Sequence, residues 1–213
     1  MKKIYLLVLS LCFSSLGLAQ FSLRADMGID FVSTPSLTDY INQNFAGGDQ
    51  LGSFNSAVNF SVEGNYPVSP SYSLGVEIAY QLNSYTFNFS PGQYDLSYGI
   101  LLPSIMNYYV ISGNGYNLKF GAGAGIRFTN VTETAGTGIK KDYSVTGFGG
   151  VLRFEGNTAL SSNIYANVGA DIRYDLNGEP ESDGKKLYNN VLKENVNFNT
   201  LSFGVKLGIL FQF

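Results

Sequence analysis

Apolar residues occupy every second position over the last thirteen residues of the chain. Leu201, Val205, Ile209 and Phe213 belong to this series, and small or polar residues such as Lys206 fill the positions between. Successive side chains of a β-strand point to opposite faces, so the segment predicts a strand with one apolar and one mostly polar face. An apolar face toward lipid and a polar face toward a lumen is the pattern of a transmembrane β-barrel strand. About 9 to 11 tilted residues cross a bilayer, and this segment is long enough.

Seven earlier segments repeat the alternation. Together with the terminal strand they predict an all-β fold, an eight-stranded antiparallel up-and-down transmembrane β-barrel. Strands are expected near 21–31, 54–66, 72–83, 94–110, 116–128, 143–154, 164–176 and 200–213.

Two of these segments carry irregularities. In the fourth, Leu96, Tyr98, Ile100 and Leu102 alternate until Pro103, which predicts a bulge or a local break in the ladder. In the sixth, the phase of the alternation is ambiguous around 149–150.

The connections between the segments alternate in length. Long connections are expected near 32–53, 84–93, 129–142 and 177–196, and short turns near 67–71, 112–115 and 155–162. Short periplasmic turns and long extracellular loops are typical of bacterial barrels with an even number of strands, so both termini are expected in the periplasm. Aromatic residues gather near the strand ends and predict two interfacial girdles. The expected periplasmic girdle is Phe21, Tyr66, Tyr72, Tyr116 and Phe213, and the outer one is Phe31, Tyr80, Phe128 and Tyr174.

The first residues have the features of a secretory signal. Lys2 and Lys3 precede a short apolar stretch, and Ala19 offers a cleavage site. Residues 1–19 are therefore expected to be a signal peptide that is removed, and residues 20–213 the barrel domain. Cys12 follows Leu11 rather than a small residue, which disfavours the alternative of a lipoprotein. The mature chain would then contain no cysteine.

Composition narrows the function further. Removal of Lys2 and Lys3 leaves 11 of the 13 basic residues against 16 acidic ones, so the net charge of the mature chain is near −5. The sequence contains no run of basic residues, and a nucleic-acid partner is therefore not expected. The chain has no histidine, so hydrolases and acyltransferases that use a histidine base are excluded. No nucleotide-binding loop or zinc-ligand spacing occurs, and no cofactor is expected. We therefore expect a protein that is not an enzyme.

With these residues in hand, the chain resembles the small bacterial outer-membrane β-barrel family of the OmpA/OmpX type. The resemblance covers nearly the whole mature chain, includes the terminal aromatic residue, and is specific for architecture rather than for function. It implies location in the outer membrane, contact with its lipid, and insertion by the barrel-assembly machinery. The assembly signal that it implies is the apolar series Phe203, Val205, Leu207, Ile209, Phe211 and Phe213. A soluble lipocalin-type barrel is the competing architecture, and the girdles and loop asymmetry argue against it.

The predicted inward faces collect charges of both signs. Eight strands leave an interior just wide enough for side chains to fill, so a structural plug of ion pairs is favoured over a charge-gated conduit. Lys206 and Asp171 lie at similar heights on neighbouring strands and are expected to pair. The predicted lumen network is Arg24, Asp26, Glu63, Glu77, Lys119, Arg127, Asp171, Arg173 and Lys206, with Asp30 and Arg153 on the same faces.

Two loops offer candidate sites. In the first loop, Ser36 is positioned to cap a helical turn whose apolar face includes Leu37 and Ile41 and extends to Phe45. This turn is expected to cover the mouth of the barrel. The alternative is that it forms a surface for a ligand or a partner. The fourth loop carries acidic residues whose spacing does not match an EF-hand, so a solvated loop is favoured over a calcium site. The acidic series runs through Asp175, Asn177, Glu179, Glu181 and Asp183.

The sequence thus predicts a non-enzymatic integral outer-membrane β-barrel. Its lumen is expected to be plugged, and its extracellular loops are expected to serve structural, adhesion or partner contacts, including contacts with an extracellular ligand or protein. The alternative is a narrow porin-like conduit for small solutes.

Overall fold

The computed structural model describes residues 21–45, 50–89, 92–134, 136 and 138–213. The expected signal peptide, residues 1–19, lies outside these ranges. The secondary-structure elements, in chain order, are β1 (Ser22–Ser33), α1 (Pro35–Asn44), β2 (Asn55–Ser69), β3 (Tyr72–Phe89), β4 (Gly92–Gly113), β5 (Tyr116–Thr134), β6 (Lys140–Ala159), β7 (Ile164–Leu176), β8 (Glu181–Ser182), β9 (Lys185–Lys186), β10 (Tyr188–Asn189), β11 (Glu194–Asn195) and β12 (Thr200–Gln212).

Eight long strands form a closed antiparallel ring. Each of β1 to β6 pairs with the next, and β12 pairs with both β7 and β1, so every long strand has two neighbours. The last backbone bond of the closure runs from the amide N of Phe213 to the carbonyl O of Phe21, at 2.8 Å. The prediction of an eight-stranded antiparallel up-and-down barrel is confirmed.

The strands are staggered around the ring. We follow a path that steps from each residue to its paired residue on the next strand. A path that starts at Val32 of β1 returns to β1 at Ser22, ten residues earlier in the chain. This offset is the shear of the barrel, and it makes the strands tilt against the barrel axis. It therefore decides which inward side chains meet. The path runs through Val32, Ser202, Arg173, Val151, Gly123, Met106, Gly75, Asn65 and Ser22.

The outer wall carries a belt of exposed apolar side chains. Ile105 is 65% exposed and Leu207 63%, values that a soluble protein would avoid over such a continuous surface. All nine aromatic residues of the two predicted girdles are exposed on the same wall. No helix among the described residues is both long enough and apolar enough to cross a membrane.

Strands β3 to β6 continue well past the outer girdle, and two of the predicted loops are wrong for this reason. Most of 84–93 and parts of 129–142 are strand. In these extensions the alternation is inverted, because Tyr85 and Leu96 point inward and are buried, while Thr86 and Asp95 face outward and bond to each other at 2.7 Å. An apolar inside and a polar outside suit a wall surrounded by water rather than lipid.

Strand β4 departs from the general pattern along most of its length. Tyr98, Ile100 and Leu102, which the alternation assigned to an apolar outer face, are buried and face inward. The outer face is supplied instead by residues such as Leu101 and Ile105. Both faces of this strand are apolar, so alternation alone did not distinguish them.

The irregularity at Pro103 is a break and not a bulge. Pairing between β4 and β5 stops after Leu101 and resumes at Ile105 in the same register, while pairing with β3 is uninterrupted. Proline has no amide hydrogen to donate to the ladder. The carbonyl O of Pro103 instead accepts a hydrogen bond from Nη1 of Arg127, at 3.3 Å. Around Gly149, strand β6 keeps a regular register with β5.

The topology can be tested by cysteine labelling of intact cells. Val191 lies at an exposed turn on the side of the long loops, and Asn114 lies in the two-residue turn between β4 and β5 on the opposite side. We expect Val191→Cys to react with a membrane-impermeant maleimide and Asn114→Cys to react only after the cells are opened. The reverse pattern would mean that the barrel is inserted in the opposite orientation.

Candidate functional site in the lumen

The inward side chains form three layers along the barrel axis. Small polar side chains line the end with the short turns, charged side chains fill the middle, and apolar side chains fill the end with the long loops. The middle layer, which we call the lumen cluster, contains Arg24, Asp26, Glu63, Glu77, Tyr108, Arg153, Glu155, Asp171, Arg173 and Lys206.

Arg24 joins three acidic residues on the periplasmic side of the lumen cluster. Its Nε lies 2.6 Å from Oδ2 of Asp26, its Nη2 lies 2.9 Å from Oε2 of Glu63, and its Nη1 contacts Glu155. Glu155 belongs to β6, so this one guanidinium connects β1 with a strand on the far side of the ring. The planar guanidinium can donate five hydrogen bonds in fixed directions, which suits it to bind several carboxylates.

Arg153 and Arg173 continue the lumen cluster toward the outer end. Arg153 contacts Glu77 through Nη1, and its Nη2 lies 3.0 Å from Oδ2 of Asp171. Nη2 of Arg173 lies 2.8 Å from Glu77 and 3.1 Å from Asp171. Asp171 therefore pairs with two arginines, and Glu77 pairs with three, because Nη2 of Arg24 also lies 3.7 Å from its Oε2.

Lys206 completes the surroundings of Asp171. Its Nζ lies 3.0 Å from Oδ2 of Asp171, which thus has three cations within 3.1 Å. The two residues are not directly opposite each other, because Lys206 is in register with Gly169 and Asp171 with Gly204. The long lysine side chain reaches its partner diagonally, a geometry that adjacent antiparallel strands permit.

Gly204 gives the carboxylates the space that they occupy. A Cβ added at this position would overlap Oδ1 of Asp30 and would lie 2.6 Å from Oδ1 of Asp171. A residue without a side chain is required here because two acidic side chains from neighbouring strands already fill the space.

Two of the predicted network residues, Arg127 and Lys119, lie outside the lumen cluster, and so does Asp30. Arg127 pairs with Asp175 at 2.5 Å near the outer end, and Lys119 lies on the periplasmic side with its Nζ 5.4 Å from the ring centre of Tyr108. Asp30, expected on the same face, accepts hydrogen bonds at 2.7 Å from the side-chain amides of Asn59 and Gln81.

Sequence reasoning missed several members of the lumen cluster. Glu155 was assigned to a turn because the apolar alternation of the sixth segment ends at Phe154. Its position two residues after Arg153 puts both on one face of a strand, and this spacing was the available signal. Tyr108 lies in the predicted strand 94–110, where no pattern marks it as a lumen residue, yet its hydroxyl donates a hydrogen bond of 2.6 Å to Glu63.

Apolar side chains close the outer end of the lumen in a group that we call the mouth cluster. Helix α1 contributes Leu37 and Ile41, and the fourth long loop contributes Val196 and Phe198. Phe198 packs edge-on against Tyr98 of the barrel wall, with ring centres 5.4 Å apart. The prediction that the first loop forms a helical turn over the mouth agrees with this packing.

The predicted helix cap at Ser36 is wrong. Thr34 occupies the N-cap position without a side-chain cap bond, and Pro35 begins the helix. Proline is favoured in the first turn because the amide hydrogen that it lacks would have no helical partner there. The hydroxyl O of Ser36 instead accepts a hydrogen bond of 3.1 Å from the amide N of Asn197, which ties α1 to the fourth loop.

Three tyrosines surround one carboxylate at the edge of the mouth cluster. Tyr40, Tyr94 and Tyr143 donate hydrogen bonds to Glu133, at 2.5, 2.9 and 3.2 Å. Burial, reinforced by the Glu133 carboxylate, raises the pKa of Tyr40 far above the usual range for tyrosine. Tyr40 therefore stays a neutral donor, and its bond fastens α1 to strand β5.

The acidic residues of the fourth loop are dispersed. Asp175 faces Arg127 in the lumen, and Glu179 accepts a hydrogen bond of 2.6 Å from Nζ of Lys186 at the surface. This bond lowers the pKa of the Glu179 carboxyl and raises that of Lys186. Within the described ranges no three acidic residues are grouped so as to hold a metal ion.

The apolar series on β12 lies on the outer wall. Phe203, Val205, Leu207, Ile209, Phe211 and Phe213 are all exposed, and the ring of Phe213 lies 6.1 Å from that of Phe21 across the closing pair of strands.

Comparison with known proteins identifies the architecture. No protein-family model and no curated protein sequence matches the chain. Among solved structures, a major outer membrane protein from Thermus thermophilus is 15% identical with a TM-score of 0.57, covering 92% of this chain and 100% of its own.

Two further solved structures are similar. The Neisserial surface protein NspA is 13% identical with a TM-score of 0.54, covering 91% of this chain and 97% of its own. Ail of Yersinia pestis, in complex with the heparin analogue sucrose octasulfate, is 12% identical with a TM-score of 0.51, covering 92% and 99%. The closed ring, the apolar outer belt and these matches establish that the chain has the fold of the small bacterial outer-membrane β-barrels of the OmpA/OmpX type.

Proposed function

We propose that the protein is a non-enzymatic outer-membrane barrel with a plugged lumen, and that its folded extracellular face makes structural, adhesion or partner contacts. The observation that carries this proposal is the lumen cluster, in which Arg24 and Arg153 connect acidic residues across the ring. The mouth cluster lies in series with it and adds an apolar obstacle.

The energetics of the lumen cluster favour a closed wall. A solute ion passing through would have to displace side chains such as Arg153 and Glu77, which are almost completely buried. Separating a buried pair leaves its members uncompensated, at a cost of about 3 to 5 kcal/mol. Several such pairs share members here, so the cost applies to the cluster as a whole.

The extracellular face offers an exposed apolar surface on the fourth long loop. The hairpin of β10 and β11 presents Val191 and Leu192, which are exposed at its turn. The side-chain O of Asn189 accepts hydrogen bonds from both of their amides, at 3.0 and 3.3 Å. A rigid exposed apolar tip loses little entropy on contact with a partner, which supports a role in binding a protein or another extracellular ligand.

A narrow conduit for small solutes is the second candidate. Several buried polar atoms make no hydrogen bond to another described residue, among them Nη1 of Arg173 and Oδ1 of Asp30. Buried polar atoms usually have partners, and ordered water would supply them. A connected file of such waters would favour a conduit over a plug.

Conductance of the purified barrel in planar bilayers distinguishes these proposals. We expect no steady ohmic current from the unaltered protein, because charged and apolar side chains obstruct the lumen in series. The double variant Glu77→Ala/Arg153→Ala keeps the net charge but removes a pair that spans β3 and β6, and it should raise conductance above that of the unaltered protein.

The matched control is Glu179→Ala/Lys186→Ala, which removes a pair of the same charge at the exposed surface, 2.6 Å apart. This variant should stay as silent as the unaltered protein. A clear ohmic current from the unaltered barrel would replace the plug with the conduit.

The stability of the lumen cluster provides a separate test. Asp171→Asn leaves three cations without their shared carboxylate, whereas Lys206→Gln leaves Asp171 with two arginines. We expect Asp171→Asn to cost about 3 to 5 kcal/mol of unfolding free energy and Lys206→Gln to cost clearly less. Urea unfolding in lipid vesicles measures both values.

The double variant Lys206→Gln/Asp171→Asn should cost less than the sum of the two single changes, because the residues share one interaction. Lys186→Gln, which breaks the exposed pair with Glu179, should leave the unfolding free energy almost unchanged, because water screens this pair. Additive effects of the two lumen changes would indicate a wet lumen in which the charges are screened.

A further inference from the structure

The lumen opens into a polar cavity between the lumen cluster and the end with the short turns. Its volume is about 270 Å³, and its lining includes the side chains of Ser22, Asn65, Ser73 and Asn117. We call it the periplasmic vestibule. One water occupies about 30 Å³ in the liquid, so the vestibule has room for a small solute together with some of its hydration water.

Lys119 is the one charged residue among the described residues that line the vestibule. It is 6% exposed, and no carboxylate oxygen of a described residue lies within 4.0 Å of its Nζ. Its Nζ lies over the ring of Tyr108, 5.4 Å from the ring centre. An ammonium group has three hydrogen-bond donors, and a ring face does not replace an oxygen acceptor.

The absence of a carboxylate partner follows from the packing of the neighbouring strand. Lys119 is directly in register with Glu155 of β6, which would be its natural cross-strand partner. Glu155 instead contacts Nη1 of Arg24 and lies 3.8 Å from Nη1 of Arg153. The arginines of the lumen cluster therefore hold the carboxylate, and Lys119 is left at the vestibule.

The hydroxyl of Ser73 is a second buried group on this cavity without a partner. Its Oγ makes no hydrogen bond to another described residue, although Ser73 is buried. The vestibule thus combines an ammonium group with a hydroxyl that is able to donate, and no acidic residue is among its lining residues. Donors without acidic acceptors suit the oxygens of an anion.

The lumen cluster places a small excess of negative charge beside the vestibule. It sets the acidic residues Asp26, Glu63, Glu77, Glu155 and Asp171 against the four cations Arg24, Arg153, Arg173 and Lys206. The excess of one carboxylate attracts the ammonium group of Lys119. It also limits how strongly a bound anion is held, so a singly charged oxyanion suits the vestibule better than a doubly charged one.

We propose that the periplasmic vestibule is a binding site for a small oxyanion that enters from the periplasm. Lys119 supplies the charge, and the hydroxyl of Ser73 supplies a hydrogen bond. The site is separate from the extracellular face, and it requires only that the vestibule be open to the periplasm.

The test uses the full mature barrel in lipid nanodiscs, titrated with inorganic phosphate at pH 6, where the monoanion predominates. Backbone amide NMR signals of Ser73, Ser112 and Lys119 should shift with saturation, and sodium chloride at the same ionic strength should not reproduce the shifts. Lys119→Gln should weaken the apparent affinity at least tenfold, and Ser73→Ala should weaken it severalfold.

Lys119→Arg, which keeps the charge, should retain the saturable shifts, and Lys193→Gln, at an exposed position of the fourth loop, should match the unaltered protein. If Lys119→Gln does not fold, Ser73→Ala and the chloride control still decide the question. Shifts that chloride reproduces, or that survive in both Lys119→Gln and Ser73→Ala, would overturn the proposal.

Discussion

Hydrocarbon offers no hydrogen-bond partner to the peptide backbone, so every strand that crosses it must have a neighbour on each side. Here the pairing of β1 with β12 meets this requirement by closing the ring. The ring closes with a ten-residue offset between Val32 and Ser22, and this offset fixes the relative height of every inward side chain. The arrangement of charges in the lumen is thus a consequence of how the backbone completes its hydrogen bonds in lipid.

The solvent outside the wall changes from lipid to water partway along four of the strands. In the lipid-embedded part the outer face is apolar and the interior holds charged groups. In the part surrounded by water, Thr132 and Asp142 form a hydrogen bond on the outer face, while Val131 and Tyr143 are buried inside. A single strand such as β5 therefore follows two opposite rules of polarity. The inner filling changes with it, from ion pairs to an apolar cluster that includes α1.

Much of the fold follows from the sequence because alternation is a local signal. It predicts all eight membrane-crossing strands, while a helical spacing of apolar residues predicts the apolar face of α1. Because the prediction assumes that apolar residues face outward, it places loops where the inverted extensions of the strands lie. Lys206 and Asp171 lie on adjacent strands, and their proximity is accessible from strand order alone. Arg24 and Glu155 are 131 positions apart and meet across the lumen, which requires the stagger of the ring. The alternation of apolar and polar residues does not show how far the strands are shifted around the ring.

The inversion of polarity has a consequence for how the molecule loses its structure. The apolar belt of the wall is buried against the hydrocarbon of the bilayer, whereas the mouth cluster is buried against other side chains in a part of the barrel that water surrounds. Both gain free energy when apolar surface leaves water, but denaturant dissolved in water surrounds only the mouth end of the folded barrel. Opening the mouth cluster would expose its apolar side chains to water without breaking the strand pairing that closes the ring. The free energy that the mouth cluster contributes therefore depends on the water outside the membrane, although the same strands continue into the lipid-embedded ring.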